Sequence, residues 1–269
     1  MEPHQMTPAG DQQVLNELRG TILRMVYHAR EGHIPSAFSV VDILYTLYRY
    51  CLRVDPAHPD REDRDYFLLS KGHSGTALYP VLAHFGFFEA DSLLQYCKPG
   101  SRFGGHPDAL KVPGVEICSG SLGHGIAMGV GLGLGLRLKN ITKKVVVLVG
   151  DGEMEEGSFW ESIMMARNTG LTNLIVIADC NNSQGYSHPF DFIRILQSFD
   201  WATAEVNGHD VEALEATLRP LIHGPLTSPT FVAARTRKGH GIARFVGEHA
   251  WHRRTPTESE LRECLEELK

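Results

Sequence analysis

The sequence predicts an α/β fold whose mainly parallel sheet is covered by helices on both faces. Residues 145–149 and 174–178 are continuous apolar runs with the length of fully buried strands. Between them, Phe159, Ile163 and Ala166 recur at the spacing of an amphipathic helix. Because strands that alternate with helices build parallel sheets, this central unit indicates the fold class.

The other elements continue the same alternation along the chain. Apolar residues at helical spacing predict helices around residues 15–25 and 40–47, and Ser39 and Asp42 resemble a cap of the second helix. The charged segment 56–65 is typical of a surface loop. The later elements expected are strands at 66–69, 202–206 and 230–234, and helices at 120–135, 191–198, 211–221 and 258–269. We expect residues 1–269 to form a single domain with a helical N-terminal segment.

Composition and charge exclude several classes of protein. The chain has 269 residues, 42% of them apolar, and its net charge of −6 argues against nucleic acid as a partner. Its five cysteines form no Cys-x-x-Cys pair, which argues against a zinc ribbon or a disulfide scaffold. Neither a signal peptide nor a membrane-spanning run is evident. A soluble, cytoplasmic protein without a membrane partner is therefore expected.

Polar side chains follow the two central strands where each strand ends. Gly150-Asp151-Gly152 closes the first run, and Asn181 follows the second. A carboxylate, an amide oxygen and a nearby main-chain carbonyl are hard donors that suit Mg²⁺ or Ca²⁺, and Mg²⁺ commonly completes its shell with ligand phosphates. Asp-Gly and Asn-Asn pairs are also common in ordinary turns. Their presence at successive strand ends favours a metal site that binds a diphosphate.

The same residues carry a resemblance to a known family. Residues 150–157, Gly-Asp-Gly-Glu-Met-Glu-Glu-Gly, together with 179–183, Asp-Cys-Asn-Asn-Ser, resemble the thiamine diphosphate fingerprint of transketolases. The resemblance implies thiamine diphosphate and Mg²⁺ (or Ca²⁺) as cofactors. It implies Asp151, Asn181 and the main chain of Ser183 as metal ligands, with the adjacent Asn182 as an alternative to Asn181. It also implies that Gly150, Gly152 and Glu153 contact the cofactor.

The glycine-rich segment 120–135 has neither a dinucleotide-binding nor a Walker A pattern. Its alternating glycines fit a helix that packs very closely against a neighbour or a ligand. Its opening, Ser121-Leu122-Gly123, resembles the transketolase loop that lies against the cofactor, although His124 stands where the family often has glutamine. We therefore expect these three residues to contact the cofactor.

Histidines that follow glycine or tryptophan form a second set of family positions. Taken singly, such a histidine is more often an exposed loop residue without a role. Gly32-His33, Gly72-His73, Gly105-His106 and Trp251-His252, however, all resemble transketolase motifs. The resemblance implies that His73 and His252 approach the diphosphate, and that His33 and His106 bind substrate hydroxyls or transfer protons. Imidazole suits this work because its pKa is close to neutral pH.

Two departures from the family pattern lie near the expected substrate channel. Ile34-Pro35-Ser36 follows His33 where a Pro-Gly or similar small pair is common, and Arg253 follows His252 where glycine is usual. These differences leave the identity of the sugar open.

The resemblance runs from His33 to His252 but covers only the N-terminal portion of a transketolase. It implies a split enzyme that transfers a two-carbon ketol unit from a ketose or its phosphate to an aldose. The pyrimidine-binding and C-terminal domains, with the glutamate that activates the cofactor, are then expected on a partner chain, with two copies of each chain in the assembly. The alternatives are the α subunit of a 2-oxo acid dehydrogenase or decarboxylase, a relative of deoxyxylulose-phosphate synthase, and a binding subunit without turnover.

Overall fold

The computed structural model describes residues 8–183 and 190–269, in which helices and strands alternate along the chain. The α-helices are α1 (Pro8–Ala29), α2 (Ile34–Thr46), α3 (Gly75–His84), α4 (His124–Leu138), α5 (Gly157–Asn168), α6 (Phe192–Ser198), α7 (Val211–His223) and α8 (Glu258–Glu267). The strands are β1 (Tyr66–Leu69), β2 (Val145–Gly150), β3 (Leu174–Cys180), β4 (Ala202–Asn207) and β5 (Thr230–Arg235). No helix in these two ranges is both long and apolar enough to cross a membrane.

All five strands form a single parallel sheet in the order β1-β2-β3-β5-β4. Successive side chains of each strand enter two separate cores, as Val146 and Val147 show in β2. One core is completed by α1, α2, α3, α7 and α8, and the other by α4, α5 and α6. The predicted α/β class, with helices on both faces of a parallel sheet, is thus confirmed.

Helix α2 begins earlier than predicted, so the expected cap at Ser39 and Asp42 is wrong. The helix starts at Ile34, and Pro35 lies in its first turn, where the missing N–H of proline has no intrahelical partner to lose. Ser39 and Asp42 lie inside the helix and are buried. Their polar groups are satisfied by partners from distant parts of the chain, which a local capping pattern cannot distinguish from a helix end.

Helix α3 was not predicted from the sequence at all. Residues Gly75 to Leu82 are all buried, so the helix has no polar face to produce an amphipathic pattern. It also contains Pro80, a residue that usually indicates the end of a helix. Only the tertiary packing against α1 and α2 identifies this segment as helical.

The close packing predicted for the glycine-rich helix is confirmed for α4. A Cβ atom on Gly125 would lie 2.7 Å from the Cα of Ser70, and one on Gly129 would lie 2.5 Å from a methyl group of Val147. The neighbour is the sheet itself, since Ser70 directly follows β1 and Val147 lies in β2. Any larger residue at these two positions would push the helix away from the strands.

The sheet brings the two predicted metal-binding turns together. Strands β2 and β3 are adjacent and in register, with Gly150 opposite Asp179. Asp151 and Asn181 therefore leave the sheet at the same edge, formed by the carboxyl ends of the strands. Ligand sites in open parallel sheets lie at this edge.

Candidate functional site

A cleft of about 350 Å³ opens at the carboxyl edge of the sheet. It is lined by all four predicted histidines, by Asp151, Asn181 and Ser183, and by Gly150, Gly152, Glu153 and Leu122. Two of the predicted cofactor contacts, Ser121 and Gly123, do not line this cleft. The structure thus gathers most of the predicted site residues around one cavity.

Three oxygen atoms that could bind a metal ion lie close together where the turns after β2 and β3 meet. The main-chain N–H of Ser183 donates to Oδ2 of Asp151 over 3.0 Å, and the Ser183 hydroxyl donates to Oδ1 of Asn181. The Ser183 carbonyl approaches Gly152 so closely that a Cβ there would lie 3.3 Å from its oxygen. A carboxylate, an amide oxygen and a carbonyl in this arrangement fit the donor set of a divalent cation.

The carboxylate of Asp151 is buried and forms no ion pair with a lysine or arginine of the described residues. The residue is 3% exposed, and it accepts hydrogen bonds from the main-chain N–H groups of Gly152 and Ser183. Within the described ranges, no Lys or Arg nitrogen lies within ion-pair distance of it. Burial, followed by repulsion from Asp179, raises the pKa of this carboxyl. Because a lone buried charge is costly, a bound cation would stabilise this group, so the residues present fit the implied metal.

Hydrogen bonds orient the amide of Asn181 toward the cleft. Its Nδ2 donates to the hydroxyl of Ser39 over 2.9 Å and to Oδ2 of Asp179 over 2.8 Å. Oδ1 is therefore left on the side where Ser183 lies. Asn182 is exposed and has a positive φ of 61°, and it does not line the cleft. This geometry supports Asn181 rather than Asn182 as the proposed ligand.

Asp179 connects the site to the interior of the protein. It is completely buried and forms an ion pair with Lys71, which is itself 2% exposed. It also accepts hydrogen bonds from the side chains of Ser39, Thr236 and Asn181. A fully satisfied buried carboxylate of this kind ties β1, α2, β3 and the segment after β5 to one point.

Glu153 uses its carboxylate to hold the surrounding loops. It is 2% exposed and accepts from the main-chain N–H of Gly123 over 2.8 Å and of Gly150 over 3.2 Å, as well as from the hydroxyl of Ser70. Burial raises the pKa of the carboxyl, and these donors oppose that effect. The hydrogen bond between Glu153 and Gly123 thus fixes the conformation of the loops beside the cleft.

Three of the histidines form a cluster on the cleft wall. His33 precedes α2, His73 lies in a 3-10 turn at Gly72–Ser74, and His252 follows a second such turn. The ring of His33 lies 5.5 Å from that of His73 and 5.2 Å from that of His252. His106 lines the same cleft from the loop before α4 and is exposed.

The environment keeps two of these imidazoles neutral. Burial, and then the neighbouring His252 and Arg253, lower the pKa of His33 to about 4. Burial, and then Lys71, lower the pKa of His73 to about 2. His33 also accepts a hydrogen bond at Nε2 from Nε of Arg253 over 3.3 Å, which requires that nitrogen to be unprotonated. Both rings are therefore unprotonated at neutral pH, and in His33 the acceptor nitrogen is already occupied by Arg253.

These lowered pKa values predict a pH dependence of stability. An unfolded chain protonates both histidines below about pH 6.5, whereas the folded chain protonates His33 only near pH 4 and His73 only near pH 2. The free energy of unfolding should therefore fall as the pH decreases through this window. His33→Gln should reduce the slope by up to about 1.4 kcal/mol per pH unit, measured by urea unfolding of the apo chain. Parallel curves for the variant and the wild type would contradict the assignment.

Sequence reasoning missed two lysines in the cleft, Lys71 and Lys238. Ser36, whose segment was expected near the substrate channel, lines the cleft as well. Nζ of Lys238 lies 3.1 Å from the hydroxyl of Ser183, and burial followed by Lys71 lowers the pKa of its amine. Lys238 could have been found from its position in the sequence. It follows β5, and so lies at the same carboxyl edge of the sheet as Asp151 and Asn181.

A second group of metal-capable side chains, Asp42, His209 and His240, lies outside the cleft. Their ligand atoms lie within 4.8 Å of one another. Asp42 already accepts two bonds of 2.7 Å from Arg19, however, and a third from Nδ1 of His209. Nε2 of His209 accepts the main-chain N–H of Arg237. With these lone pairs occupied, the group is a structural connection between α1, α2 and the loops after β4 and β5.

Comparison with known proteins identifies the family of this chain. The family profile described as "Transketolase, thiamine diphosphate binding domain" matches residues 10–268. A subunit of the apulose-4-phosphate transketolase of Phocaeicola vulgatus is 34% identical over 257 residues, covering 93% of this chain and 90% of that protein. The 6-deoxy-6-sulfo-D-fructose transketolase subunit of a Clostridium species is 29% identical, covering 94% of both chains.

The fold is shared with solved transketolases. The crystal structure of transketolase from Campylobacter jejuni superposes with a TM-score of 0.88 at 26% identity, covering 98% of this chain but 43% of that one. Transketolase from Leishmania mexicana gives a TM-score of 0.86 at 25% identity, with 42% of that chain covered. Together with the profile match over nearly the whole chain, these findings show that the chain belongs to the transketolase family, as its thiamine diphosphate-binding domain.

Proposed function

We propose that this chain is the N-terminal subunit of a split transketolase that depends on thiamine diphosphate and Mg²⁺. The observation that carries the proposal is the buried Asp151 carboxylate, which no lysine or arginine of the described chain neutralises. It lies beside the oxygens of Asn181 and Ser183, at the edge of a cleft lined by four histidines. The relatives named as transketolase subunits match this chain over about nine tenths of both lengths, which supports the split arrangement.

The proposed reaction transfers a two-carbon ketol unit from a ketose or its phosphate to an aldose. When bound, the thiazolium of the cofactor supplies the carbon nucleophile and stabilises the carbanion. Asp151, Asn181 and the Ser183 carbonyl would hold the metal ion. His73, Lys238 and His252 would contact the diphosphate, because they line the cleft beside the proposed metal ligands. Gly150, Gly152 and Leu122 would form the walls against which the cofactor lies.

His33 and His106 are proposed to act on the sugar. His33 is neutral because burial lowers its pKa to about 4, and its Nε2 already accepts from Arg253, so its Nδ1–H is left to donate a hydrogen bond to a substrate oxygen. His106 lines the cleft from the loop before α4 and is exposed. Together they would fix the orientation of the sugar and exchange protons with it.

A partner chain is proposed to complete the active site. It would carry the pyrimidine-binding and C-terminal domains and the glutamate that activates the cofactor, in an assembly with two copies of each chain. The names of the relatives, which call each of them one subunit of a transketolase, support a second chain. A cytoplasmic location is part of the proposal and is supported by the five free cysteines.

Reconstitution tests the proposed function. The chain should be produced with and without the polypeptide encoded beside it, and thiamine diphosphate binding should be titrated by calorimetry with Mg²⁺ or with EDTA. We expect Mg²⁺-dependent binding and two-carbon transfer from a ketose phosphate only in the two-chain complex. Absence of metal-dependent binding in either state would instead support a subunit without turnover. Decarboxylation of a 2-oxo acid in place of ketol transfer would support the dehydrogenase alternative.

A further inference from the structure

Arg253 is a cation of the cleft wall that the proposed cofactor chemistry does not use. It stands where the family usually has glycine, and it lines the cleft beside His252. Its Nε donates to Nε2 of His33 over 3.3 Å. Among the described residues, no carboxylate lies within ion-pair distance of its guanidinium.

The other cations of the cleft have different surroundings. Lys71 is neutralised by its buried ion pair with Asp179. Lys238 contacts the hydroxyl of Ser183, so it belongs to the end of the cleft where the metal ion and diphosphate are proposed to bind. Arg253 contacts His33 at the histidine end. Its charge therefore lies beside the imidazole that is proposed to act on the sugar, and away from the proposed metal ligands.

The hydrogen bond to His33 leaves a defined set of donors on the guanidinium. Nε is directed at the imidazole, while Nη1 and Nη2 have no bonding partner among the described residues. Two parallel N–H groups of this kind match a carboxylate, phosphate or sulfonate, whose oxygens can accept both at once. The bond to His33 also reduces the freedom of the side chain, so that fewer conformations would be lost on binding.

The neighbouring Arg254 differs from Arg253 in its contacts. The guanidinium of Arg254 lies 4.0 Å from the ring centre of Trp251 and forms an ion pair of 2.5 Å with Glu260. Its charge is thus already compensated on the outside of the cleft. Both arginines are exposed, but of the two only Arg253 lines the cavity.

We propose that Arg253 forms an anion subsite at the histidine end of the cleft, which binds an acidic substituent of the sugar substrate. The subsite rests on the proposed transketolase function and specifies its substrate class. The acidic group would be a phosphate, sulfonate or carboxylate. By holding this group beside His33, Arg253 would select charged sugars over their uncharged parents and orient them for reaction.

Substrate discrimination in the two-chain complex tests the subsite. The kcat/KM of an aldose phosphate should be compared with that of the same aldose without phosphate, for the wild type, Arg253→Gln, Arg253→Lys and the control Arg254→Gln. The ratio of the two values should fall roughly tenfold or more in Arg253→Gln, mainly through KM, because a bidentate charge-assisted contact is lost. Arg253→Lys should lose part of the ratio, since lysine keeps the charge without the planar fork. Arg254→Gln should keep it.

Parallel comparisons with a sulfonated sugar and a sugar acid identify which acidic group the subsite prefers. If Arg253→Gln retains the wild-type ratio for all three classes, the subsite is overturned while the transketolase function stands. If the wild-type complex neither binds thiamine diphosphate with Mg²⁺ nor transfers a ketol unit, the proposed function fails, and the subsite fails with it. Calorimetric titration of the cofactor on the same preparations separates the two outcomes.

Discussion

Asp151→Ala is expected to abolish the Mg²⁺-dependent binding of thiamine diphosphate. The substitution removes the carboxylate from the proposed donor set, leaving the oxygens of Asn181 and Ser183 without a charged ligand. Loss of groups that merely support a metal ligand lowers affinity about 10- to 100-fold, so loss of the ligand itself should exceed that range. Calorimetry of the two-chain complex with the cofactor and Mg²⁺ measures the effect directly.

This loss should occur without loss of the fold. Burial raises the pKa of Asp151, which means that its ionised form destabilises the apo protein at neutral pH. The free energy of unfolding of apo Asp151→Ala should therefore stay close to that of the wild type, because removal of the buried charge offsets the loss of its two main-chain hydrogen bonds. Glu155→Ala is the matched control, because Glu155 is an exposed acid of the same 3-10 turn and does not line the cleft. Undiminished cofactor binding by Asp151→Ala would remove the metal assignment.

Asp179→Ala is expected to be the most destabilising substitution near the site. It leaves the ammonium group of Lys71 buried without its partner, and it removes the acceptor of Ser39 and Thr236. Breaking a buried ion pair from one side typically costs about 3–5 kcal/mol. Urea unfolding should show a loss of this size. Asp63→Ala should cost far less, because its ion pair with Arg61 is on the surface.

A second substitution shows whether the orphaned charge causes the loss. If Lys71→Met is added to Asp179→Ala, the buried cation is removed, and part of the lost stability should return. Equal stability of the single and double variants would show that the other hydrogen bonds of Asp179 dominate. The amide of Asn181 also loses an acceptor in Asp179→Ala, so Mg²⁺ affinity should fall in parallel.

The sheet was the part of the fold most readily predicted. Strands β2 and β3 are apolar over residues 145–149 and 174–178 because both faces of the sheet are covered, and their ends carry residues with recognisable chemistry. Helix α5 was predicted because it has one buried and one exposed face. Helix α3 and the true start of α2 were not predicted, because a segment that is buried on all sides has no polar periodicity to reveal it.

Individual residues of the proposed site were predicted from the sequence, but the contacts between them were not. Asp151, Asn181 and the histidines were predicted from short motifs and a family resemblance, since these keep their spacing along the chain. Asp179 lies within the same motif, yet its role depends on Lys71, which is more than a hundred residues away in sequence. Lys238 likewise reaches the cleft only because β5 lies beside β3.

The sequence by itself therefore determined the fold class, the strand ends that carry the oxygen donors, and membership of a family that binds thiamine diphosphate. Only the tertiary structure decided which way the amide of Asn181 points, that Asp151 is buried, and that Arg253 rather than Arg254 faces the cavity. The reason is physical. Local patterns record backbone preference and burial, whereas desolvation, ion pairing and hydrogen-bond direction depend on neighbours that distant segments supply.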